Sequence, residues 1–360
     1  IAQTLHTHSY GYLYSAVTRH MGMKPHSHEY KVMGLAPHGS PKHGQKAYDT
    51  FGSYVGLGED ALTWQRKIRE PMHSIMPRLI RDLHGQRFDN IAWGLQKYLE
   101  DLAASWVRNA MLKTGIRKVV GGGGVFMNVK MNKVIREMTD GFFPMPSAGD
   151  ESTSIGAAQW LYAQRMKEQG TEPRIRPLGP LYLGDESTER EIEDAMDDVS
   201  ALTGQFRNRL TGYYGDEFEK SFDVQHSSHV DTLAADLILK GEIVARCRGP
   251  MEFGARALGN RSILCDARSL NVVNTINQAI KSRDFWMPFA PVVVATDDYP
   301  DHYFGTTAPA PYMTMAFDTT QMARRDLRAA LHQSDYTARP QILEPSWNPG
   351  YYSILKKFET

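Results

Sequence analysis

Between Arg248 and Ser262 the chain reads R-G-P-M-E-F-G-A-R-A-L-G-N-R-S, which sets three arginines, one glutamate and three glycines in one short stretch. Arginine presents a planar fork of donors that matches the oxygens of a phosphate or carboxylate. Glycine lets the backbone turn tightly and come close to a ligand. Arg248, Arg256 and Arg261 on a loop with Gly249, Gly254 and Gly259 therefore describe a cradle for a phosphate-bearing substrate. The alternative is structural: the same arginines can hold their own loop together through Glu252 and Asp266.

More cations follow. Asn274–Arg283 reads as a helix ending in Lys281 and Arg283, and F-W-M-P-F-A-P (Phe285–Pro291) follows as an aromatic turn stiffened by proline. These cations either line the same anion site from a second side or complement the negative end of their helix. In K-V-M-G-L-A-P-H-G (Lys31–Gly39), Lys31 can reach an anion while Gly34 and Gly39 permit a close turn. Otherwise that segment is a turn that buries Met33 and Leu35.

The positioning elements are legible in the apolar pattern. Ile243–Ala245 and Ile263–Cys265 flank the arginine loop as short buried strands. Asp89–Gly115 is the clearest helix: Asp89 is placed to cap it, Ile91, Leu95, Tyr98, Leu99, Leu102, Trp106 and Met111 recur at helical spacing, and Gly115 ends it. Lys118–Val120 then forms a strand, Gly121–Gly124 a turn, and a helix starts near Asn128. Strand, glycine turn, helix is the geometry that aims backbone N–H groups at a phosphate, here without the G-K-[ST] of a Walker A loop. A further strand, Gly141–Phe143, leads into S-A-G-D-E-S-T-S-I-G-A-A, where Asp150 precedes a helix from about Ser152 to Gln169 and reads locally as its cap. Arg174–Pro180 suits a linker, with helices over Ser187–Leu202 and Val230–Leu239 beyond it.

With 360 residues, two domains are expected. Lys and Arg number 41 and so do Asp and Glu, and this balance excludes a general nucleic-acid or acidic-membrane surface. No run is long enough to span a membrane and no signal peptide is visible. The two cysteines, Cys247 and Cys265, read as reduced core thiols of a cytoplasmic protein. Seven histidines fall within residues 1–44, but their spacing fits no closed zinc site and they read as scattered surface residues. His226 and His229 read as part of a helix-start loop. The chain opens at Ile1 and stops in mid-pattern after Lys356, and is read as a fragment of a longer polypeptide.

Taken together, the arginine loop, K-V-M-G-L-A-P-H-G, G-G-V-F-M-N (Gly123–Asn128), the Asp150 segment and D-Y-T-A-R-P-Q (Asp335–Gln341) resemble the ordered motifs of the carbamoyltransferases that act on antibiotics and nodulation sugars. Departures from the family pattern are Pro250 for an arginine, Ala255 for a proline, and Tyr336 for a glycine. The resemblance implies an α/β fold: a partial actin-like (ASKHA) nucleotide-binding domain over 1–176, then a YrdC-like domain, similar to threonylcarbamoyl-AMP synthase, over 177–360. It implies that carbamoyl phosphate and ATP give carbamoyl-adenylate in the second domain, and that the carbamoyl group passes to a hydroxyl of a small-molecule acceptor in the first. Under it, Arg256, Arg261, Lys281, Arg283 and Arg339 neutralise phosphate charge, while Lys31, Gly121, Gly122, Gly123, Gly124 and Asn128 hold nucleotide. Asp150 becomes a ligand of a divalent metal, Fe or Mg, whose histidine partners in the family's H-H-x-x-H-A motif are not in this sequence. A homodimer is allowed, and neither nucleic acid nor membrane is expected as a partner. Because those histidines and the L-N-T-S-F-N element of relatives are both missing, the chain alone is expected to fold without turning over. The other readings are tRNA threonylcarbamoylation, an actin-like sugar kinase, and a non-catalytic nucleotide-binding partner.

Overall fold

The computed structural model describes residues 2–201, 225–281, 283–295 and 299–359; Ser282 and the side chain of Lys281 lie outside that set, as does Leu202. The chain is mixed α/β and forms two compact units, Ile1–Pro177 with Asp266–Pro345, and Leu178–Cys265 with Ser346–Thr360. The first crossing falls inside the proline- and glycine-rich stretch Arg174–Pro180. Residues 266–345 then pack with the first unit.

Over the first unit's residues 1–177 the helices are α1 (Tyr10–His20), α2 (Glu29–Leu35), α3 (Pro41–Tyr54), α4 (Met76–Asp82), α5 (Phe88–Thr114), α6 (Val129–Met138) and α7 (Thr153–Glu168). α5 is its axis. Ile91, Leu95 and Leu99 are buried at helical spacing and join the core formed with Leu13, Phe51, Ile75 and Leu79. Arg87, not Asp89, stands at the helix N-cap position. Asp89 instead lies in the first turn, where Arg87 grips it at 3.1 and 2.7 Å and its acid charge meets the positive end of the helix. Gly115 ends α5 with φ of 70°, its N–H donating to Met111 O at 2.9 Å.

α3 lies against α5 because glycines let the two backbones meet. A Cβ on Gly39 would stand 2.4 Å from Asp89 O, one on Gly44 2.4 Å from the Trp93 ring, and one on Gly94 2.6 Å from Tyr48 N. Strands β1 (Val55–Leu57) and β2 (Trp64–Arg66) form a hairpin beside them. β3 (Lys118–Gly121) and β4 (Gly141–Pro144) run parallel, joined through α6, which is the expected strand–turn–helix–strand order. A second core, centred on Phe317, Leu331 and Ile342, carries the parallel pair Val292–Val294 and Gln341–Leu343.

The second unit packs helix Val230–Leu239 against helix Pro349–Glu359, burying Ala235, Ile238, Tyr351 and Ile354. Its strands Val244–Cys247 and Arg261–Leu264 are antiparallel, with Cys247 opposite Arg261. Two expectations are corrected here. The strands flanking the arginine loop are half-buried and not core, and Cys247 is exposed with Cys265 only half-buried. Both thiols are free.

A Gly94→Ala change in a helix interior ordinarily gains up to about 1 kcal/mol. Here the added methyl meets backbone of α3, which cannot swing away, so a net loss of roughly 1–3 kcal/mol is expected in thermal or urea unfolding. A stabilised variant would mean that α3 yields.

Candidate functional site

The arginine loop is shaped from within by one carboxylate. Glu252 is buried, and its Oε1 accepts from the backbone N–H groups of Leu258, Asn260 and Arg261 at 2.8, 2.7 and 3.1 Å. Asn260 donates to Pro250 O at 2.8 Å, while its own oxygen receives Arg246 and Asn348, each at 2.8 Å. Gly259, at φ of 116°, leaves no room for a side chain, since a Cβ would lie 2.4 Å from the Tyr351 ring. The sequence left the arginines between two roles, and the structure divides them. Arg261 braces the loop through Gly249 O and Asn260 O, both at 3.0 Å, and Arg248 pairs with Asp231 at 2.9 Å. Asp266 pairs with Arg268. Arg256 is half-buried at the loop's outer turn. Arg246, Asn348 and Tyr351 escaped sequence reasoning because their register with the loop is long-range.

The first unit gathers four of the other motif segments. Lys31 Nζ lies 2.8 Å from Asp284, and the Trp286 indole N–H donates to Lys31 O at 3.1 Å. Gly34 sits against Met287 and its carbonyl lies 2.7 Å from His332 Nε2. Gln341 N donates to Pro291 O at 2.9 Å, so the segment bearing Arg339 runs beside the end of Phe285–Pro291. Arg339 is half-buried. Lys130, at the start of α6, holds Asp335 and donates to Thr337 at 3.1 Å. Burial would raise the Asp335 carboxyl, but Lys130 outweighs it and keeps the carboxyl below its ordinary value. Burial lowers His332 despite Asp335 beside it. Tyr336 adopts φ of 57°, which accounts for the glycine that the family pattern has there.

Arg283 is the unbalanced member. It is half-buried, reaches Pro288 O at 3.2 Å and stacks on Phe289 at 4.8 Å, and among the described residues no carboxylate pairs with it. Burial lowers its pKa, with the neighbouring Asp284 opposing only in part. The preceding six residues, Ile276–Lys281, form a π-helical turn, a distortion often retained at functional sites.

The glycine turn divides by role. Gly121 has no space for a Cβ, which would meet the Phe126 ring at 2.4 Å, whereas Gly122, Gly123 and Gly124 face open space. These three line a cavity of about 310 Å³ with Ser9, Trp64 and Trp106. The two indoles meet edge to face at 5.5 Å, and Trp64 Nε1 is buried without a partner among the described residues. Asn128 is committed elsewhere: it caps α6 through Met131 N at 3.0 Å and exchanges two hydrogen bonds with Gln96, at 2.7 and 2.9 Å.

Asp150 is exposed at the start of the turn Asp150–Ser152, and its carboxylate neither caps α7 nor pairs with another described residue. Among the described residues no group of three His, Cys, Asp or Glu side chains is placed to hold a metal. Alone, Asp150 does not make a metal site.

Residues 1–159 match the carbamoyltransferase N-terminus family model, and residues 235–360 match the carbamoyltransferase C-terminus model. An uncharacterized protein of Methanocaldococcus jannaschii is 29% identical over 98% of this chain and 54% of its own length. One from Synechocystis is 30% identical over 98% of the chain and 59% of its length. The nodulation protein NolO of Bradyrhizobium diazoefficiens is 27% identical over 98% of the chain and 60% of its length. The chain thus spans somewhat over half the length of these relatives.

Removing the Glu252 carboxylate leaves three backbone donors in the loop without their acceptor, at about 1–3 kcal/mol for each that stays dry. Glu252→Ala is expected to speed amide exchange at Leu258, Asn260 and Arg261 by roughly a hundredfold or more, and Glu252→Gln, which keeps an acceptor oxygen, by less. Unchanged protection in the alanine variant would show that the loop is held by something else.

Proposed function

We propose a reaction on the ground that this chain belongs to the carbamoyltransferase family. Carbamoyl phosphate, ATP and water give carbamoyl-adenylate, phosphate and pyrophosphate. A hydroxyl of a sugar or natural-product acceptor then attacks the carbamoyl carbon, the bond to the adenylate oxygen breaks, and AMP leaves. The protein is proposed to work in the cytoplasm; among the described residues no helix is long and apolar enough to cross a membrane. The finer fold assignment, actin-like followed by YrdC-like, belongs to the same proposal.

One observation carries most weight. Arg283 is a partly desolvated cation with a carbonyl and an aromatic ring for company and, among the described residues, no paired carboxylate, which is the state of a residue that awaits an anion. Arg339 in the same unit, with Lys281 two residues before Arg283, and Arg256 and Arg261 in the other unit, are assigned to phosphate charge on the family pattern. Lys31 is assigned to nucleotide on the same basis, with its ion pair to Asp284 exchanged for a phosphate contact. The open faces of Gly122, Gly123 and Gly124 beside two indoles suit a nucleotide, whose phosphates meet backbone N–H groups and whose base meets an aromatic wall. Gly121 and Asn128 then act by fixing that turn in place. A divalent metal, Fe or Mg, enters the proposal only with Asp150 as one ligand, and no step is routed through it.

Arg283→Lys and Arg256→Lys keep the charge and lose the planar fork. Each is expected to lower carbamoyl-phosphate-dependent pyrophosphate release in the intact protein roughly ten- to a hundredfold, through loss of about 1.5–3 kcal/mol of charge-assisted hydrogen bonding, with thermal stability little changed. Wild-type release from the Arg283 variant would remove it from the site. A drop explained wholly by unfolding would make the arginine structural.

A further inference from the structure

A separate cavity of about 560 Å³ opens where α3 and α5 begin, within the range that small-molecule sites occupy. His38, His43, Lys46, His84 and Arg87 line it, and none of them belongs to the contacts assigned above. No local pattern announces this grouping, because His84 lies forty-one residues beyond His43. Gly39 creates it: by meeting Asp89 O where a Cβ would stand at 2.4 Å, it sets the start of α3 beside the start of α5.

The charges on its wall are one-sided. Asp89 is its carboxylate, and Arg87 already holds both of its oxygens. Lys46 lines the space with no carboxylate paired to it among the described residues, and His38, His43 and His84 line it as imidazoles, with His43, Lys46 and His84 exposed at its mouth. The helix starts on the rim add little, because Asp89 sits in the first turn of α5 and accepts from Asn90 N at 2.9 Å, while His43 N and Gly44 N of α3 donate to Ser40 O at 3.1 and 2.7 Å. His38 adds a buried ring nitrogen, Nε2, with no partner among the described residues. Its ring lies 5.2 Å from His332, whose own Nε2 is engaged with Gly34 O. A lysine and imidazole N–H donors that converge on a cavity without carboxylate partners suit an anion.

We propose that this cavity binds a phosphorylated small molecule, with its phosphate held by Lys46, His43 and His84. It is a second anion site, lined by residues other than those of the carbamoyl chemistry, and it does not rest on that reading.

The test uses ¹⁵N-labelled intact protein, inorganic phosphate as the probe, and imidazole resonances assigned through His43→Gln and His84→Gln. Phosphate is expected to move the His43 and His84 signals saturably while leaving in place those of His226 and His229, which are equally exposed but line no such cavity. Lys46→Gln should raise the half-saturating concentration by roughly tenfold, the effect of one charge-assisted hydrogen bond. Arg283→Gln should leave the His43 and His84 response intact, which separates this cavity from the proposed carbamoyl phosphate contacts. Non-saturating shifts, equal shifts at His226, or an unchanged midpoint in the Lys46 variant would each overturn the proposal. Loss of the response in Arg283→Gln would also overturn it, as showing a single site.

Discussion

A buried amide, Gln96, makes every hydrogen bond open to it, and the placement of the glycine turn depends on that. Its oxygen accepts from Tyr14 at 3.0 Å and from Asn128 at 2.7 Å, while its nitrogen donates to Glu100 at 2.8 Å and to Asn128 at 2.9 Å. In a low-dielectric surrounding a satisfied network of this kind rigidifies, and a half-made one is costly. Burial pushes both Tyr14 and Glu100 above their ordinary values, which is the electrostatic mark of the same surroundings. From Asn128 the constraint runs down α6 to Lys130, from there to Asp335, and through His332 to Gly34 and the Lys31 turn. Segments far apart in sequence are thereby hung from one helix, α5.

The second unit reaches the same end with a carboxylate. Glu252 offers one oxygen to three backbone N–H groups, and Arg261 adds two bonds to carbonyls of the same loop. That division matters for function. Arg261 already braces the loop and Arg248 is paired with Asp231, so either would meet a phosphate only by exchanging those contacts. Arg283 in the first unit reaches Pro288 O and the Phe289 ring but, among the described residues, pairs with no carboxylate, and the adjoining Asp284 is held by Lys31.

Much of this was legible in the sequence where the signal is local. Apolar spacing defined α5, a glycine marked its end, and strand–turn–helix order around Gly121–Gly124 gave the parallel pair of β3 and β4. The rest depends on partners distant in the chain. Nothing near Asn128 announces Gln96, and nothing near Cys247 says that its strand lies half in solvent. Asp89 looked like a cap because its residue type favours that position, yet Arg87 extends the helix by a turn fragment and binds it from the side. The packing of 266–345 with residues 1–177 has no local signature at all, since it follows from contacts with α2 and α6.

What becomes of ATP tests the proposed chemistry most directly. With carbamoyl phosphate and a hydroxyl-bearing acceptor supplied to the intact protein, the nucleotide products are expected to be AMP and pyrophosphate, with the carbamoyl label recovered on the acceptor. ADP with a phosphorylated acceptor would instead identify a kinase. Nucleotide that binds and is returned unchanged, under conditions where acceptor and carbamoyl phosphate are both present, would contradict catalysis by this protein altogether.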